Sequence, residues 1–471
     1  MPGRERDYIL LEKPPFRYHH PFVDIAEVAG TRRLYYGQWL WFDFSPAGGK
    51  IARSYAAIFD DGAMVVETGA GELEEVGIRL RRVPAEKPES RWPTWAIKKF
   101  LDGEPPNPDE MDVYDLCKRA YENYIDYGDE WGASMLMSLY TIQSYLTPIF
   151  STLGYIGISG PKRSGKSKNL DVAEQVCFNP VKAVNLTAAS LFRIVDGYRA
   201  TVLIDESDFK SPERHRDILI MLRAGYRRGE YVVRQAKVQK KGEEKFKEEL
   251  FDVFGPKILV VPEGIEEMLR DRCIMINMQR TANPSITRRY VDPRDPIWED
   301  IRAHLYYFGL KHWREVEQEY MRLDPGEISG REYEKWAPLL ALAKVFGVYD
   351  DLYKYALEKI HETYLDEEAE APAIKLLRIC LHIYNQEKDE YTDQKPVLSA
   401  SQIAEKAEEL LGREKWIKPG TIGNLMTNVF GFNRRPWKRV KHGTAVYVLD
   451  PKKLKALAKR YNVDPDNPLE A

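Results

Sequence analysis

The residues with the clearest chemical meaning are the eight from Gly160 to Ser167, Gly-Pro-Lys-Arg-Ser-Gly-Lys-Ser. The two glycines let backbone N–H groups turn inward, and a lysine followed by a hydroxyl closes the run, which makes a cradle for a phosphate chain. The apolar segment Leu153-Gly-Tyr-Ile-Gly-Ile-Ser precedes it and the helix-compatible stretch Lys168–Cys177 follows, the strand–loop–helix setting that such a loop needs. A helix beginning there adds its partial positive charge. The pattern predicts that Gly160, Pro161, Lys162, Arg163, Ser164, Gly165, Lys166, Ser167 and Lys168 hold the phosphates of ATP. Lys166 would reach the β- and γ-phosphates, and the Ser167 hydroxyl would bind Mg²⁺.

A second run answers the first. Thr201-Val-Leu-Ile-Asp205-Glu206 reads as a buried apolar strand ending in two carboxylates. At the carboxyl edge of a parallel sheet such residues face the ligand crevice. Asp205 fits the water-mediated Mg²⁺ partner of Ser167, and Glu206 fits the group that polarises an attacking water. A strand that merely ends in solvated acids is the plainer alternative, and the pairing of two motifs in the right order outweighs it.

These residues need a scaffold, and the composition allows one. A chain of 471 residues suggests about three domains, each able to bury a core. Hydrophobic residues make up 44% and charged residues 30%, which argues against a disordered or membrane-like chain. No apolar run reaches the length of a spanning helix; the longest candidate, Ala133–Ile158, is broken by Gln143, Ser144 and Pro148. The first residues lack the apolar region of a secretory signal, so a cytoplasmic protein with no membrane partner is expected. Cys117, Cys177, Cys273 and Cys380 lie far apart without metal-ligand spacing, and read as buried small hydrophobes in a reducing compartment.

The expected organisation is an α/β P-loop core with smaller modules on either side. Residues 1–95 read as a β-rich module from alternating and aromatic runs such as Trp39-Leu-Trp-Phe-Asp-Phe and Ala63-Met-Val-Val-Glu-Thr, with no catalytic constellation. Residues 96–150 are a linker and helical collar, opened by the prolines of Glu104-Pro-Pro-Asn-Pro-Asp. The core spans 151–285, a helical domain 286–390, and a last module 395–462.

The stretch from about Tyr121 to Gly347 resembles the superfamily III helicase-like AAA+ ATPases of plasmid, phage and archaeal mobile-element replication. The carrying residues are the phosphate loop, Leu186-Thr-Ala-Ala-Ser-Leu-Phe-Arg193, Leu203-Ile-Asp-Glu-Ser-Asp208, Leu222-Arg-Ala-Gly-Tyr-Arg-Arg-Gly-Glu-Tyr-Val-Val-Arg234, Val253-Phe-Gly-Pro-Lys-Ile-Leu-Val, Arg270-Asp-Arg272-Cys-Ile-Met-Ile-Asn-Met and Trp336-Ala-Pro-Leu-Leu-Ala-Leu-Ala. The resemblance implies an AAA+ core of the ASCE type that assembles as a ring, commonly a homo-hexamer, in which an arginine from the neighbour completes each site. Arg272 matches that position, with Arg270 and Arg280 as rivals. The family's polar sensor is missing: Lys257-Ile-Leu-Val-Val261 runs into Pro262-Glu-Gly without an asparagine.

Between Tyr231 and Val253 the pattern predicts a hairpin, with one arm in Val232-Val-Arg-Gln-Ala-Lys-Val, the other in Phe246–Phe254, and Lys240-Lys-Gly-Glu-Glu at the tip. The resemblance implies that it projects into a central channel and grips single-stranded DNA through Lys240 and Lys241, with Lys237 behind them. Glu243, Glu244, Glu248 and Glu249 dilute that charge, and an ordinary solvated hairpin is the alternative.

The C-terminal module resembles a winged helix. Its first helix follows Ser399, its recognition helix starts near Lys418-Pro-Gly-Thr, and Phe432–Arg439 and Thr444–Leu449 are wing strands. Lys418, Thr421 and Asn424 would face duplex DNA at the start of the recognition helix, while Arg434, Arg435, Lys438, Arg439 and Lys441 would contact phosphates. The overall charge is -3, yet Leu411–Arg460 holds thirteen Lys and Arg against Glu414 and Asp450, a local +11. A basic end on a near-neutral chain points to a polyanion surface; use of the module for protein contacts is the alternative.

The reading is an ATP-hydrolysing DNA translocase or helicase of a replication or mobile-element system. Its rival is an ATP-switched DNA-binding initiator, loader or regulator that never unwinds processively.

Overall fold

The computed structural model describes residues 17–82, 90–106, 112–182, 188–205, 212–240, 243–261, 271–281, 283–370, 372–387, 396–414, 416–433, 435–436, 445–460 and 463–469. The chain divides into two compact units, Met1–Leu357 and Glu358–Ala471.

The N-terminal runs form an antiparallel sheet in chain order: β2 (Val23–Val28), β3 (Thr31–Asp43), β4 (Ile51–Phe59) and β5 (Met64–Glu67). A short parallel pair, β1 (Tyr18–His19) with β6 (Arg79–Leu80), accompanies it. Ala29 and Gly30 join β2 to β3 with φ of 49° and 74°, the left-handed pair that a two-residue turn needs to match strand twist. β2 covers β3 only from Thr31 to Tyr36, so the outer half of β3 has β4 on one side and, among the described residues, no strand on the other.

The module does not stand apart. Tyr36 lies edge-on to Tyr306, with ring centroids 4.9 Å apart, and donates a hydrogen bond to the Tyr145 carbonyl. Trp92 stacks on Tyr306 at 4.9 Å. Tyr306 belongs to a long helix, Ile297–Arg322, in which Gly309 leaves room for the Tyr36 hydroxyl. The same helix sends Trp313 Nε1 and Arg314 to the buried Asp60 carboxylate, each at 2.7 Å. Residues expected in separate modules therefore share one aromatic core.

The central sheet has five parallel strands: β7 (Tyr155–Ser159), β8 (Pro180–Lys182), β9 (Thr201–Ile204), β12 (Lys257–Val260) and β13 (Cys273–Asn277), in the order β13-β7-β12-β9-β8. The strands β9 and β12 are buried throughout and apolar after their first residues, Thr201 and Lys257, as expected of a sheet covered on both faces. One covering helix, Ala133–Tyr145, has every residue buried, and the hydroxyls of Ser138, Thr141 and Ser144 bond carbonyls of the same helix, as buried polar groups require. Tyr140 on it donates to the Lys257 carbonyl at 2.9 Å and accepts from the Lys257 N–H at 2.8 Å.

Between β9 and β12 the chain builds a hairpin, β10 (Val232–Lys240) with β11 (Glu243–Phe251), paired from Val232↔Phe251 to Lys240↔Glu243. The returning arm begins three residues earlier than Phe246, because pairing extends to the tip. Its base is fixed: Val232 and Phe251 are buried with Phe192, Met221 and Leu222, Arg234 bonds Asp217 at 2.8 Å, and Arg193 bonds Glu249 at 2.9 Å. Nine residues per arm at about 3.4 Å each extend about 30 Å from that base.

The second unit has its own core, including Leu377, Cys380, Ile403, Ile422, Met426, Phe430, Tyr447 and Leu449. Strands β14 (Val397–Ser399), β15 (Arg435–Pro436) and β16 (Ala445–Val448) form an antiparallel sheet in the order β14-β16-β15. The helix Ala400–Leu411 starts with a reciprocal cap between Ser399 and Gln402. The expected recognition helix is short, Pro419–Asn424, and passes into a π-helical turn over Leu425–Val429. Gly420 and Gly423 weaken its backbone, and the Gly423 carbonyl accepts from Thr427 Oγ1 and Tyr447 OH. Of the expected wing strands the structure describes Arg435–Pro436 and Ala445–Val448, and most of Phe432–Thr444 beyond Asn433 lies outside the described residues. No described helix is long and apolar enough to cross a membrane. All four cysteines are buried and free.

Candidate nucleotide site

The phosphate loop leaves the carboxyl end of β7 and opens the helix Lys166–Val176. Its bends are left-handed at Gly160 (φ 138°), Arg163 (φ 66°) and Gly165 (φ 90°). Gly160 has a second constraint, since a Cβ there would strike the Met278 carbonyl. Ser164 is 3% exposed, and its hydroxyl has no hydrogen-bond partner among the described residues. A buried, unsatisfied hydroxyl is costly unless a ligand meets it. Lys166 folds back so that its ammonium donates to the Gly160 carbonyl. Ser167 is exposed beside it.

A cleft of about 450 Å³ opens over this loop, lined by Ser164, Lys166, Ser167 and Lys168 on one side and by Tyr124, Asp126, Thr281 and Ile286 on the other. The Lys168 ammonium donates to the Ile286 carbonyl at 2.7 Å; partial burial lowers its pKa, and Asp171 opposes the shift. Thr281 bonds Asp126, and buried Asn169 accepts from Tyr127 OH at 2.8 Å, so both walls are fixed. Cationic side chains, the buried Ser164 hydroxyl and a helix start together suit a polyphosphate. Nothing in the loop pattern pointed to the far wall, which comes from segments distant in sequence.

Asp205 lies just after β9, on the same edge of the sheet. β12 separates the two strands: Leu259 pairs with Gly157 of β7 and with Ile204 of β9. Two strand spacings put Asp205 about 10 Å from the phosphate-loop strand, a gap that a metal ion with its waters and a phosphate can fill. Glu206, Arg270 and the segment expected to carry the sensor lie outside the described residues. No cluster of three or more metal-ligating side chains occurs among the described residues. A Mg²⁺ held by one hydroxyl, one carboxylate and phosphate oxygens needs no such cluster. Ser167 and Asp205 fit that donor set.

The two described arginines part company. Arg280 Nε donates to the Lys162 carbonyl at 3.0 Å, which puts this guanidinium on its own chain's phosphate loop. Arg272 precedes β13, and its carbonyl accepts from Tyr155 N–H at the start of β7. It therefore sits at the opposite edge of the sheet, over the Tyr226 ring at 5.8 Å. A role for Arg280 at a neighbour's site does not fit its placement.

Of the residues expected to meet DNA, Lys237 and Lys240 are backbone positions in the outer part of β10, and Lys241 lies outside the described residues. Lys418 and Asn424 are exposed at the two ends of the short helix, and Thr421 is half-buried between them. Arg435 is a backbone position in β15, while Arg434, Lys438, Arg439 and Lys441 lie outside the described residues.

No family model matches the chain, and no curated protein matches it. Among solved structures it is similar to the apo C-terminal region of NrS-1, with TM-score 0.34 and 13% identity over 84% of this chain and 94% of that one. It is also similar to a full-length MCM homolog from Methanopyrus kandleri, with TM-score 0.35 and 11% identity over 70% and 78%. A third likeness is to JCV helicase bound to a thiazolopyridine acetamide, with TM-score 0.24 and 12% identity over 58% and 66%. At TM-scores this low the likenesses lend nothing to a functional reading, which rests on the chain's own residues.

Proposed function

We propose that this chain is an ATP-hydrolysing DNA translocase or helicase that works as a ring, in which the neighbour's Arg272 finishes each site. The observation that carries the reading is the shared sheet edge, with the phosphate loop on β7 and Asp205 on β9 separated by one strand. Lys166 and the helix start hold the β- and γ-phosphates, and Ser167 and Asp205 hold Mg²⁺, which supplies charge neutralisation when bound. Glu206, next to Asp205 in sequence, orients the water. Arg280 reads the phosphates in cis. Arg272 faces away from its own site and stabilises charge on a neighbour's γ-phosphate. The hairpin, anchored at its base, carries Lys237, Lys240 and Lys241 to a single strand, and the C-terminal unit, read as a winged helix, holds duplex DNA.

Lys166→Ala tests the site. ATP turnover should fall to background while the fold, followed by circular dichroism, stays intact; retained turnover refutes the assignment. An ATP-switched DNA binder that never unwinds processively is the second reading. It requires turnover that is indifferent to DNA.

A further inference from the structure

The N-terminal sheet carries a groove that the nucleotide site does not use. It has a volume of about 530 Å³ and is lined by Trp39, Trp41 and Phe42 of β3, Arg53 of β4, and Ile97 and Lys98 of the helix Thr94–Leu101. Trp41 is 72% exposed, a large cost in ordered water for an indole with no partner. Arg53 pairs directly across from Trp41 and lies over the Trp39 ring at 5.9 Å. The Trp39 indole N–H is buried without an acceptor among the described residues. Trp39 and Trp41 share a face, about 7 Å apart along the strand, enough for a flat ring to lie against each.

Among the described residues lining the groove, Arg53 and Lys98 are cationic and none is anionic. Nearby, Lys99 lies over the Trp95 ring at 5.9 Å. Asp43, at the end of β3, is turned to its own chain, where it accepts from the Ser45 N–H at 2.9 Å. Flat aromatic faces flanked by cations fit nucleobases with their phosphates. The outer half of β3 is also free of β2, so a strand of nucleic acid has lateral access.

We infer that this groove binds single-stranded DNA by base stacking on Trp41 and Trp39, with Arg53 and Lys98 meeting the phosphates. The choice of DNA rests on the DNA-motor reading; the stacking does not. In a ring, the groove is a second hold on the strand outside the ATPase core.

The test uses the full chain without nucleotide, in a Lys240→Ala/Lys241→Ala background that removes the hairpin's contribution, and follows a labelled oligothymidylate by fluorescence anisotropy. Trp41→Ala should weaken binding about tenfold, equivalent to about 1.4 kcal/mol, and Trp41→Phe should restore most of it. Arg53→Ala should flatten the salt dependence. Basal ATP turnover should not change in either variant, which shows that they fold. Wild-type affinity in Trp41→Ala overturns the site, and tighter binding of oligouridylate than of oligothymidylate overturns the choice of DNA. Loss of the motor reading registers separately, as turnover surviving in Lys166→Ala.

Discussion

Arg272 and Arg280 are both arginines near one strand, and only their edge of the sheet tells them apart. Arg280 touches the phosphate loop of its own chain at Lys162, whereas Arg272 lies at the far edge. Each substitution to alanine should lower turnover about a thousandfold or more if it removes charge stabilisation of the transferred phosphate. Mixing separates them. Arg272→Ala subunits mixed with Lys166→Ala subunits should regain activity, because an intact phosphate loop can meet an intact neighbour. Arg280→Ala subunits in the same mixture should not. His20 gives a prediction of a different kind. It is buried between Asp24 and Asp196, with Nε2 2.8 Å from the Asp196 carbonyl and Nδ1 accepting from the Phe22 N–H at 3.2 Å. Burial, aided by Arg199, pushes its pKa down to about 3. Below pH 6.5 the unfolded chain takes up a proton that the folded one refuses, so stability falls with acidification, by up to about 1.4 kcal/mol per pH unit, until about pH 3. Thermal melting between pH 6.5 and 5 should show this slope, and His20→Gln, which keeps the donor, should flatten it. The phosphate loop and Asp205 were legible in the sequence because each is a local pattern tied to a backbone bend or a strand end. Arg280 and the far wall of the cleft were not, since their partners are distant in sequence and only sheet order brings them together.

The hairpin shows the same contrast among elements. Alternation in Val232-Val-Arg-Gln and the glycine at the turn announced it, but not its anchorage. Arg234 stacks over Phe192 at 5.0 Å while bonding Asp217, and Arg82 from the N-terminal module donates to the Leu250 carbonyl at 3.1 Å and lies over Phe251 at 5.5 Å. Three separate segments thus hold the hairpin's root, while Val233 and Leu250 just above it are 53% and 57% exposed. Lys240→Ala/Lys241→Ala, at the tip, should leave basal ATP turnover unchanged and abolish its stimulation by single-stranded DNA. Stimulation that survives would assign the hairpin to the solvated alternative. The expected recognition helix is short for a local reason: the cost of Gly420 and Gly423 and the back-bonding of Thr427 set its length. The aromatic core shared by Tyr36, Trp92 and Tyr306 was illegible for want of any sequence signal linking the first module to a helix that begins at Ile297.

Over the whole molecule, charge is divided unevenly. The +11 of Leu411–Arg460 leaves about -14 for the remainder of a chain whose total is -3. Duplex affinity should therefore fall steeply with salt, and removing residues 358–471 should remove most of that dependence; a truncated chain with an unchanged salt slope would place duplex binding elsewhere. One further property belongs only to the assembled ring. The strand Cys273–Asn277 carries Arg272 at its start and leads to Arg280 beyond its end, about 16 Å of backbone paired along its whole length to β7. In the proposed ring, its two ends serve two different catalytic centres, so a shift of the strand on phosphate release at one is felt at the next. Subunits joined in this way keep time with one another. Turnover should rise sigmoidally with ATP concentration, and a small admixture of Lys166→Ala subunits should slow the ring out of proportion to their number.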